Sequence, residues 1–185
     1  MSVTVRPERA ADQPHVDALV ASAFGPGRHA KSAYRLREGV HAIDSLSFVA
    51  ELDGKIVGTV RYWPVDIGGA AAIMLGPIAV HPSMQGQGIA LQLMQTSLAA
   101  AKAQHHRIVV LVGDEPYYAR VGFARITPMG RVTMPGPVDL SRVLGLELEA
   151  GALQGVQGEV RKPGVDAAWH AFGAGLAPLA PPARQ

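Results

Sequence analysis

Two glycines, Gly86 and Gly88, lie in a short loop between an apolar segment of strand character and an amphipathic segment of helical spacing. A strand, a glycine loop and a helix N-terminus together favour an anion site. The first N–H groups of a helix have no partner within it, and the helix dipole attracts negative charge. Glycines, which lack a Cβ atom, also let a phosphate approach the backbone closely. The sequence therefore predicts a ligand that carries a phosphate or pyrophosphate.

Two common phosphate-binding motifs do not fit this loop. A P-loop requires G-x-x-x-x-G-K-[ST], and neither the Lys nor the Ser or Thr stands at the required places. A dinucleotide fingerprint requires G-x-G-x-x-G after the first strand of a βαβ unit. Here Leu91 occupies the third glycine position, and the loop follows a series of hairpins. Both motifs are therefore excluded.

The chain before the loop predicts a strand, two helices and a three-stranded antiparallel meander. Asp12, as a cap, and Pro14 are typical of a helix N-terminus. Asp53-Gly54 between two alternating runs is a strong hairpin signal. The predicted elements are a strand at 3–6, a helix from Asp12, a helix at 30–38 and strands at 46–52, 55–65 and 71–80. The basic residues around the second helix are interpreted as a solvated surface; they are Arg28, Lys31, Arg35 and Arg37.

After the loop, a helix at 88–104 is predicted to bury Leu91, Met94, Leu98 and Ala101. The apolar run at 108–112 is typical of a strand that is buried on both faces. Strand, helix and buried strand in this order indicate a right-handed crossover to a parallel neighbour. A short helix capped by Asp114 and ended by Gly122, and a strand at 123–127, complete this region.

Composition limits the classes of function. The net charge is +2, aromatic residues make up 5% of the chain and cysteine is absent. These values argue against a nucleic-acid partner, a disulfide, a thiolate metal site or a cysteine nucleophile. His105 and His106 diverge as neighbours and lack a nearby carboxylate, so no metal site is expected. The N-terminus shows no signal peptide, and no segment is long enough to span a bilayer, so we expect a cytoplasmic protein without a membrane partner.

Three features together resemble the GNAT superfamily of acyl-CoA-dependent N-acyltransferases. The first is the motif Gln85-x-x-Gly88-x-Ala90, which is similar to the family's pyrophosphate motif. The second is the strand at 75–82, in which Pro77 lacks an N–H and so belongs at a bulge or unpaired position. The third is Tyr118-x-x-x-Gly122-Phe123. The resemblance covers roughly residues 3–130. The sequence motif at 113–118, together with the C-terminal extension, is similar to that of a bacterial subgroup whose acceptors are mostly undefined.

The resemblance implies an α+β, sandwich-like GNAT fold. It implies a mixed central sheet of about six to eight strands, flanked by helices, in which strands four and five splay around the cofactor. We expect a GNAT domain over 1–145. Beyond Gly130 the chain is rich in glycine and proline, with strand-like segments at 143–149 and 158–161. We expect residues 146–185 to form an extension packed on the same domain, ending in a mobile Ala/Pro tail.

The resemblance also implies acetyl transfer from acetyl-CoA to a primary amine by direct attack in a ternary complex. Tyr118 would be the general acid that protonates the departing thiolate. A backbone N–H near Ala79 or Val80 would polarise the thioester carbonyl. The residues implied to bind the cofactor are Ile78, Ala79 and Val80, along the pantetheine arm, and Gln85, Gly86, Gln87, Gly88, Ile89 and Ala90, around the pyrophosphate.

Several alternatives stay open. Tyr117 is a second candidate for the acid, and His81 for a base, although a His-Pro pair is more often a turn. The predicted fourth strand has no ionisable side chain, so the general base could be Glu51, Asp66, Glu115 or a water chain. A non-catalytic acyl-CoA-binding sensor and a structural protein acting through the C-terminal region are the alternative functions. The acceptor could be a small molecule or a peptide, and a homodimer is compatible with each function.

Overall fold

The computed structural model describes residues 3–25 and 32–164, which form nine strands and four α-helices. The predicted start of the second helix at 30–31, the basic residues Arg28 and Lys31, and the predicted tail at 165–185 lie outside the described residues. In chain order the elements are β1 Thr4–Pro7, α1 Gln13–Phe24, α2 Ser32–Arg35, β2 Phe48–Leu52, β3 Lys55–Ile67, β4 Ala70–Val80, α3 Ile89–Ala103, β5 Ile108–Val112, α4 Glu115–Tyr118, β6 Ala124–Arg125, β7 Val132–Thr133, β8 Val143–Glu147 and β9 Gly158–Arg161.

The sheet is mixed, with the strand order β1-β2-β3-β4-β5-β8-β6. The first four strands are antiparallel, and the β2–β3 turn holds Asp53 at φ 50° and Gly54 at φ 75°, the two positive values that a type I′ hairpin needs. β4 and β5 are parallel and are joined through α3. The predicted meander, crossover and α+β fold class are therefore confirmed.

Alternate residues of the central strands fill two separate core layers. On β4, Ile73 and Leu75 belong to the layer under α3, whereas Met74 belongs to the opposite layer. β5 alternates in the same way, and four of its five residues are buried, as predicted for a strand covered on both faces. On β3, Tyr62 meets α3, whereas Arg61 reaches Asp17 on α1. Helices therefore cover both faces of the sheet.

β4 and β5 separate after a short stretch of pairing. They are in register at Ile73–Val109 and Met74–Val110, and the described chain has no further pairs between them. On the other side of β4, the register with β3 shifts between Leu75 and Ile78, so Gly76-Pro77 forms a bulge. Pro77 has no N–H to continue a ladder. The predicted splay of the fourth and fifth strands and the bulge at Pro77 are both confirmed.

The two aspartates that were predicted to cap helices do not use their side chains for capping; each makes an ion pair with an arginine instead. Asp12 does not cap α1; its carboxylate accepts a hydrogen bond from the Arg9 N–H at 2.8 Å and pairs with Arg6, because a 3-10 turn precedes the helix. This pairing lowers the pKa of Asp12 to about 2. Asp114 occupies the cap position of α4, but its side chain pairs with Arg142 at 3.2 Å instead. Gly122 ends this helical region at φ 95°, as predicted.

The C-terminal strands belong to the same sheet. β8 lies between β5 and β6, and β9 pairs with β3 and with the short strand β7, which the sequence pattern did not indicate. The boundary expected at 145 falls inside β8. Among the described helices, none has both the length and the apolar composition needed to cross a bilayer.

The buried face of α3 is rotated from the predicted one. Met94, Leu98 and Ala101 are buried as predicted, but Leu93 is fully buried where Leu91 was expected. Leu91 is half-buried and lies outside the core clusters. Spacing alone could not detect the position of Ser97, whose buried hydroxyl lies 2.8 Å from the Tyr62 hydroxyl.

This rotation can be measured by substituting the two leucines. We expect Leu93→Ala to lower the free energy of unfolding by about 3 kcal/mol, because it leaves a cavity in the core. Leu91→Ala should cost less than about 1 kcal/mol. Urea denaturation of both variants checks the difference, and equal losses would contradict the observed orientation of α3.

Candidate functional site

The loop before α3 has the backbone conformation that its glycines permit. Gly86 and Gly88 have φ values of 77° and 80°, and a Cβ atom at either position would meet open space. The first hydrogen bond of α3 runs from the Gln92 N–H to the Gly88 carbonyl at 3.0 Å. The N–H groups of the preceding residues in the first turn therefore have no partner within the helix. They form an exposed cluster of donors at the positive end of the α3 dipole.

The neighbouring side chains stabilise this loop from behind. Gln85 Nε2 donates to the Val80 carbonyl at 3.4 Å, and Gln87 Nε2 donates to the Ser83 carbonyl at 3.5 Å. Ile89 is buried under the loop and anchors the start of α3. The two amides are therefore occupied by the loop itself, and the backbone N–H groups from Gly86 to Ala90 are the donors left without such a partner in the described chain.

Beyond the bulge, β4 has one paired edge and one open edge. Ile78, Ala79 and Val80 are in register with β3, and the His81 N–H donates to the Val57 carbonyl of β3 at 2.8 Å. Successive residues of a strand direct their N–H and C=O groups to alternate edges. Ala79 therefore faces β3, like His81, whereas the backbone groups of Ile78 and Val80 face the gap left by β5.

A cavity of about 450 Å³ occupies this gap. Its walls come from α1, α2, β4, β5, α4 and the segment before β8, with Val20, Arg37, Gly76 and Asp139 among the lining residues. Of the predicted site residues, the structure brings Ile78 and Tyr118 to the lining. The rest lie along the continuation of β4 and around the start of α3: Ala79, Val80, Gln85, Gly86, Gln87, Gly88, Ile89 and Ala90.

Tyr118 is the tyrosine on the cavity wall. Its ring packs edge-on against Phe123 with centroids 6.0 Å apart, and a Cβ atom on Gly113 would lie 2.2 Å from its Cε2. The absence of a side chain at 113 therefore makes room for the ring. Burial raises the pKa of Tyr118 to about 12, and nearby Tyr117 and Asp114 add to this effect. Tyr117 is 39% exposed, and its ring lies under the Arg120 guanidinium, outside the cavity lining.

The candidate bases lie away from the cavity lining. His81 is an exposed turn residue whose Nδ1 accepts from the Ser83 N–H at 3.3 Å and lies 2.8 Å from the Ser83 hydroxyl. The three acidic candidates are engaged elsewhere: Glu51 pairs with Arg6, Asp66 accepts from the Gly69 N–H, and Glu115 pairs with Arg125. Asp139 lines the cavity, and hydrogen bonds from Ser141 hold its pKa below the usual range.

Arg37 corrects the interpretation of the basic helix as a solvated surface. It lines the cavity, its Nε is buried, and its guanidinium lies 5.9 Å from the centroid of the Trp63 ring. The helical pattern could not reveal this, because Arg37 lies beyond the end of α2 in a turn that folds against the β4 bulge. Asp139 was missed for a similar reason: no local motif surrounds it.

Comparisons with known proteins give a family model, curated relatives and solved structures to which the chain is similar. Residues 44–125 match the family model of the acetyltransferase (GNAT) domain. The uncharacterised N-acetyltransferase YhbS of Escherichia coli K12 is 35% identical over 122 residues, which span 64% of this chain and 72% of that protein. Its crystal structure with CoA has a TM-score of 0.74 at 31% identity, covering 86% of this chain and 89% of that one. A GNAT family acetyltransferase from Brucella melitensis, in complex with acetyl-CoA, has a TM-score of 0.64 at 28% identity, covering 86% and 95%.

The environment of Tyr118 gives a pH dependence that can be measured. The phenol should ionise near pH 12 in the folded protein, against a reference of about 10 in the unfolded chain. Between these values the unfolded chain loses a proton that the folded protein keeps, so this residue makes stability fall as the pH rises. Ultraviolet titration should show a tyrosinate transition near pH 12 that Tyr118→Phe removes and Tyr117→Phe keeps. If Tyr118→Phe instead removes a transition near pH 10 and leaves the one near pH 12, the phenol of Tyr118 is not buried and the prediction is wrong.

Proposed function

Because the chain belongs to the GNAT superfamily of acyl-CoA-dependent N-acyltransferases, we propose that it transfers an acetyl group from acetyl-CoA to a primary amine bound in the cavity beside Tyr118. One observation carries the proposal. The open edge of β4 leads directly from the cavity wall at Ile78 to the donor cluster at the start of α3. The CoA and acetyl-CoA complexes of the two similar structures support this choice of co-substrate.

The residues present fit the chemistry of coenzyme A. The N–H groups from Gly86 to Ala90 suit a pyrophosphate, because they combine unpaired donors with the helix dipole, whereas the Gln85 N–H donates to the Pro82 carbonyl at 3.4 Å. The open edge at Ile78 and Val80 suits the amides of the pantetheine arm, which would bind as an added strand. Ala79 contributes by pairing with β3, which holds this part of β4 on the sheet while the groups of Ile78 and Val80 face the other way.

The same edge supplies a donor for the reacting carbonyl. Bound acetyl-CoA supplies a thioester, whose carbonyl carbon is attacked by the acceptor amine as the C–S bond breaks. Among the backbone groups at 78–80, those of Ile78 and Val80 face the gap, so one of these N–H groups would polarise the carbonyl oxygen. This proposal narrows the sequence-based choice between Ala79 and Val80 to Val80, with Ile78 as its neighbour on the same edge.

Tyr118 would donate its hydroxyl proton to the departing sulfur. A pKa of about 12 keeps the phenol protonated at neutral pH, but it also makes the phenol a weaker acid than a solvated tyrosine. The burial that raises this pKa also raises the pKa of a thiol in the same cavity, which reduces the mismatch. Water returns the proton to Tyr118 after product release.

Proton removal from the amine needs little help from the chain. Asp139 lines the cavity, but its lowered pKa makes it a weak base. We therefore propose that the acceptor attacks as the neutral amine, and that the proton its nitrogen loses after the attack passes to water at the mouth of the cavity. The rate should then increase as the pH approaches the pKa of the acceptor amine.

Binding of the co-substrate can be tested with two matched glycine variants. Gly88 and Gly54 have φ values of 80° and 75°, and both have open space around a Cβ atom. Alanine should therefore cost about 1 kcal/mol of stability at either position. We expect Gly88→Ala also to raise the Kd for acetyl-CoA by about tenfold or more, because it disturbs the donor cluster. Calorimetric titration checks this, and equal affinities in both variants would contradict the pyrophosphate site.

Turnover tests the role of Tyr118. We expect Tyr118→Phe to lower kcat by roughly a hundredfold to a thousandfold while leaving the Kd for acetyl-CoA nearly unchanged. Tyr117→Phe should retain turnover, since its ring lies outside the cavity lining. In the wild type, kcat/KM should increase until the amine is neutral and stay level past pH 10, because Tyr118 remains protonated. A loss of turnover in Tyr117→Phe alone would assign the acid to Tyr117.

The same assays separate the alternative functions. Binding of acetyl-CoA without release of free thiol across a panel of primary amines and peptides would favour a non-catalytic sensor. No thermal shift with acetyl-CoA would favour a structural role. The cytoplasmic location, the homodimer and the lack of nucleic-acid or membrane partners stay predictions, and size-exclusion chromatography with light scattering tests the dimer.

A further inference from the structure

The guanidinium of Arg37 has no part in the acetyl transfer described above. It rests on the β4 bulge, where a Cβ atom on Gly76 would lie 2.9 Å from its Nη2. Gly76 has a φ value of 131°, and its carbonyl accepts a hydrogen bond from Trp63 Nε1 at 2.6 Å. Because Gly76 has no side chain, the Arg37 guanidinium can pack directly on the backbone of the bulge and reach the cavity.

No described carboxylate pairs with Arg37. Glu8 and Asp17, on the neighbouring part of the sheet and α1, both pair with Arg61. Glu38 follows Arg37 directly but is exposed and makes no ion pair with it among the described residues. Arg37 Nε is buried and has no hydrogen-bond partner.

The two other charged side chains of the cavity have polar partners of their own. Arg142 pairs with Asp114, and the Asp139 carboxylate, which keeps its negative charge, accepts hydrogen bonds from the Ser141 N–H and hydroxyl. Outside the described residues the sequence contains a single acidic side chain, Asp166. Within the described chain, Arg37 is therefore the cation of this cavity that makes no ion pair.

A half-buried cation whose Nε is cut off from water and that has no carboxylate partner is unfavourable in the free protein. Burial lowers the pKa of Arg37 to about 10, so the group is still protonated at neutral pH. A ligand with one negative charge would balance it. The planar fork of a guanidinium matches a carboxylate through two parallel hydrogen bonds, whereas a phosphate dianion would leave one negative charge unpaired.

Arg37 lies close to the open edge of β4, where the reaction is proposed to take place. Gly76 and Ile78 are two residues apart on β4, which corresponds to roughly 7 Å along a strand. Apolar side chains, including Val20, Met74 and Val138, line the cavity. One small molecule could therefore place an anionic group on Arg37, a carbon skeleton against these walls and an amine at the open edge.

We infer that the acceptor is a small amino acid: an amine that also carries a carboxylate, which Arg37 binds while the amine faces the edge at Ile78 and Val80. This inference rests on the proposed function, because it names the substrate class of the same cavity. Arg37 is thus the residue that determines specificity for an anionic acceptor.

Pairs of acceptors that share one carbon skeleton and differ only in a carboxylate or a carboxamide test whether the negative charge of the acceptor matters. Glycine, β-alanine, γ-aminobutyrate and leucine are compared with their primary carboxamides, using wild-type protein and acetyl-CoA. Rates are expressed per neutral amine, because a carboxamide lowers the pKa of a nearby amine. We expect at least one acid to exceed its carboxamide in kcat/KM by about tenfold or more. Equal values for every pair would overturn the inference while leaving the proposed acetyl transfer intact.

Variants assign the preference to one side chain. Arg37→Gln should abolish the preference mainly through the KM of the acid, and Arg37→Lys should restore part of it, because it keeps the charge but loses the fork. Arg35→Gln is the matched control: it removes the same charge from the exposed surface of α2. A preference that survives in Arg37→Gln, or that disappears equally in Arg35→Gln, would overturn the assignment.

Two further measurements do not depend on turnover. Calorimetric titration of the same amino acids into protein saturated with CoA should show binding in the wild type but not in Arg37→Gln. If amino acids bind in this way and no amine is acetylated, the proposed function fails and the carboxylate site stands. Thermal unfolding should give Arg37→Met a Tm equal to or above that of the wild type, because a half-buried charge without a carboxylate partner has been removed. A Tm lower by several degrees would show a structural role and overturn the inference.

Discussion

The separation of β4 from β5 at the Gly76-Pro77 bulge is the constraint on which the rest of the site depends. Pro77 cannot donate to a neighbouring strand, and the register shift against β3 turns the end of β4 away from β5. The gap becomes the cavity, and the backbone groups of Ile78 and Val80 face it without a neighbouring strand, although the Val80 carbonyl accepts from Gln85 Nε2. Without this bulge, β5 could pair along the whole of β4 and leave no room for a ligand.

The bulge also orients elements on both sides of the sheet. Trp63 on β3 donates its indole N–H to the Gly76 carbonyl, and Arg37 packs over the same glycine from the turn after α2. Past the bulge, β4 leads through a 3-10 turn into the glycine loop and α3, whose buried Leu93 and Met94 fix the helix on the sheet. The donor cluster and the cavity therefore keep a constant spacing, because one continuous strand connects them.

The cavity combines apolar walls with polar side chains whose burial lowers the stability of the free protein. Tyr118 fits against Gly113 and Phe123, with its pKa raised by loss of water, and Arg37 keeps its charge without a carboxylate partner among the described residues. Such groups reduce the stability of a free protein, and they are typical of sites where a ligand completes the interactions. The core layers on both sides of the sheet offset this cost through ordinary apolar burial.

The sequence alone determined the order of the elements, the α+β class and the motifs, because these depend on local chemistry. Asp53-Gly54 specifies a hairpin, Pro77 interrupts a ladder, and Gly88 permits a positive φ before a helix. Only the tertiary structure decided which side chains meet. In the folded protein, Leu93 rather than Leu91 lies in the core, and the three acidic candidates for the base interact with other groups. Arg37 and Asp139, which no motif indicated, line the cavity. The physical reason is that burial and charge pairing depend on residues far apart in the chain, for which spacing along the sequence carries no signal.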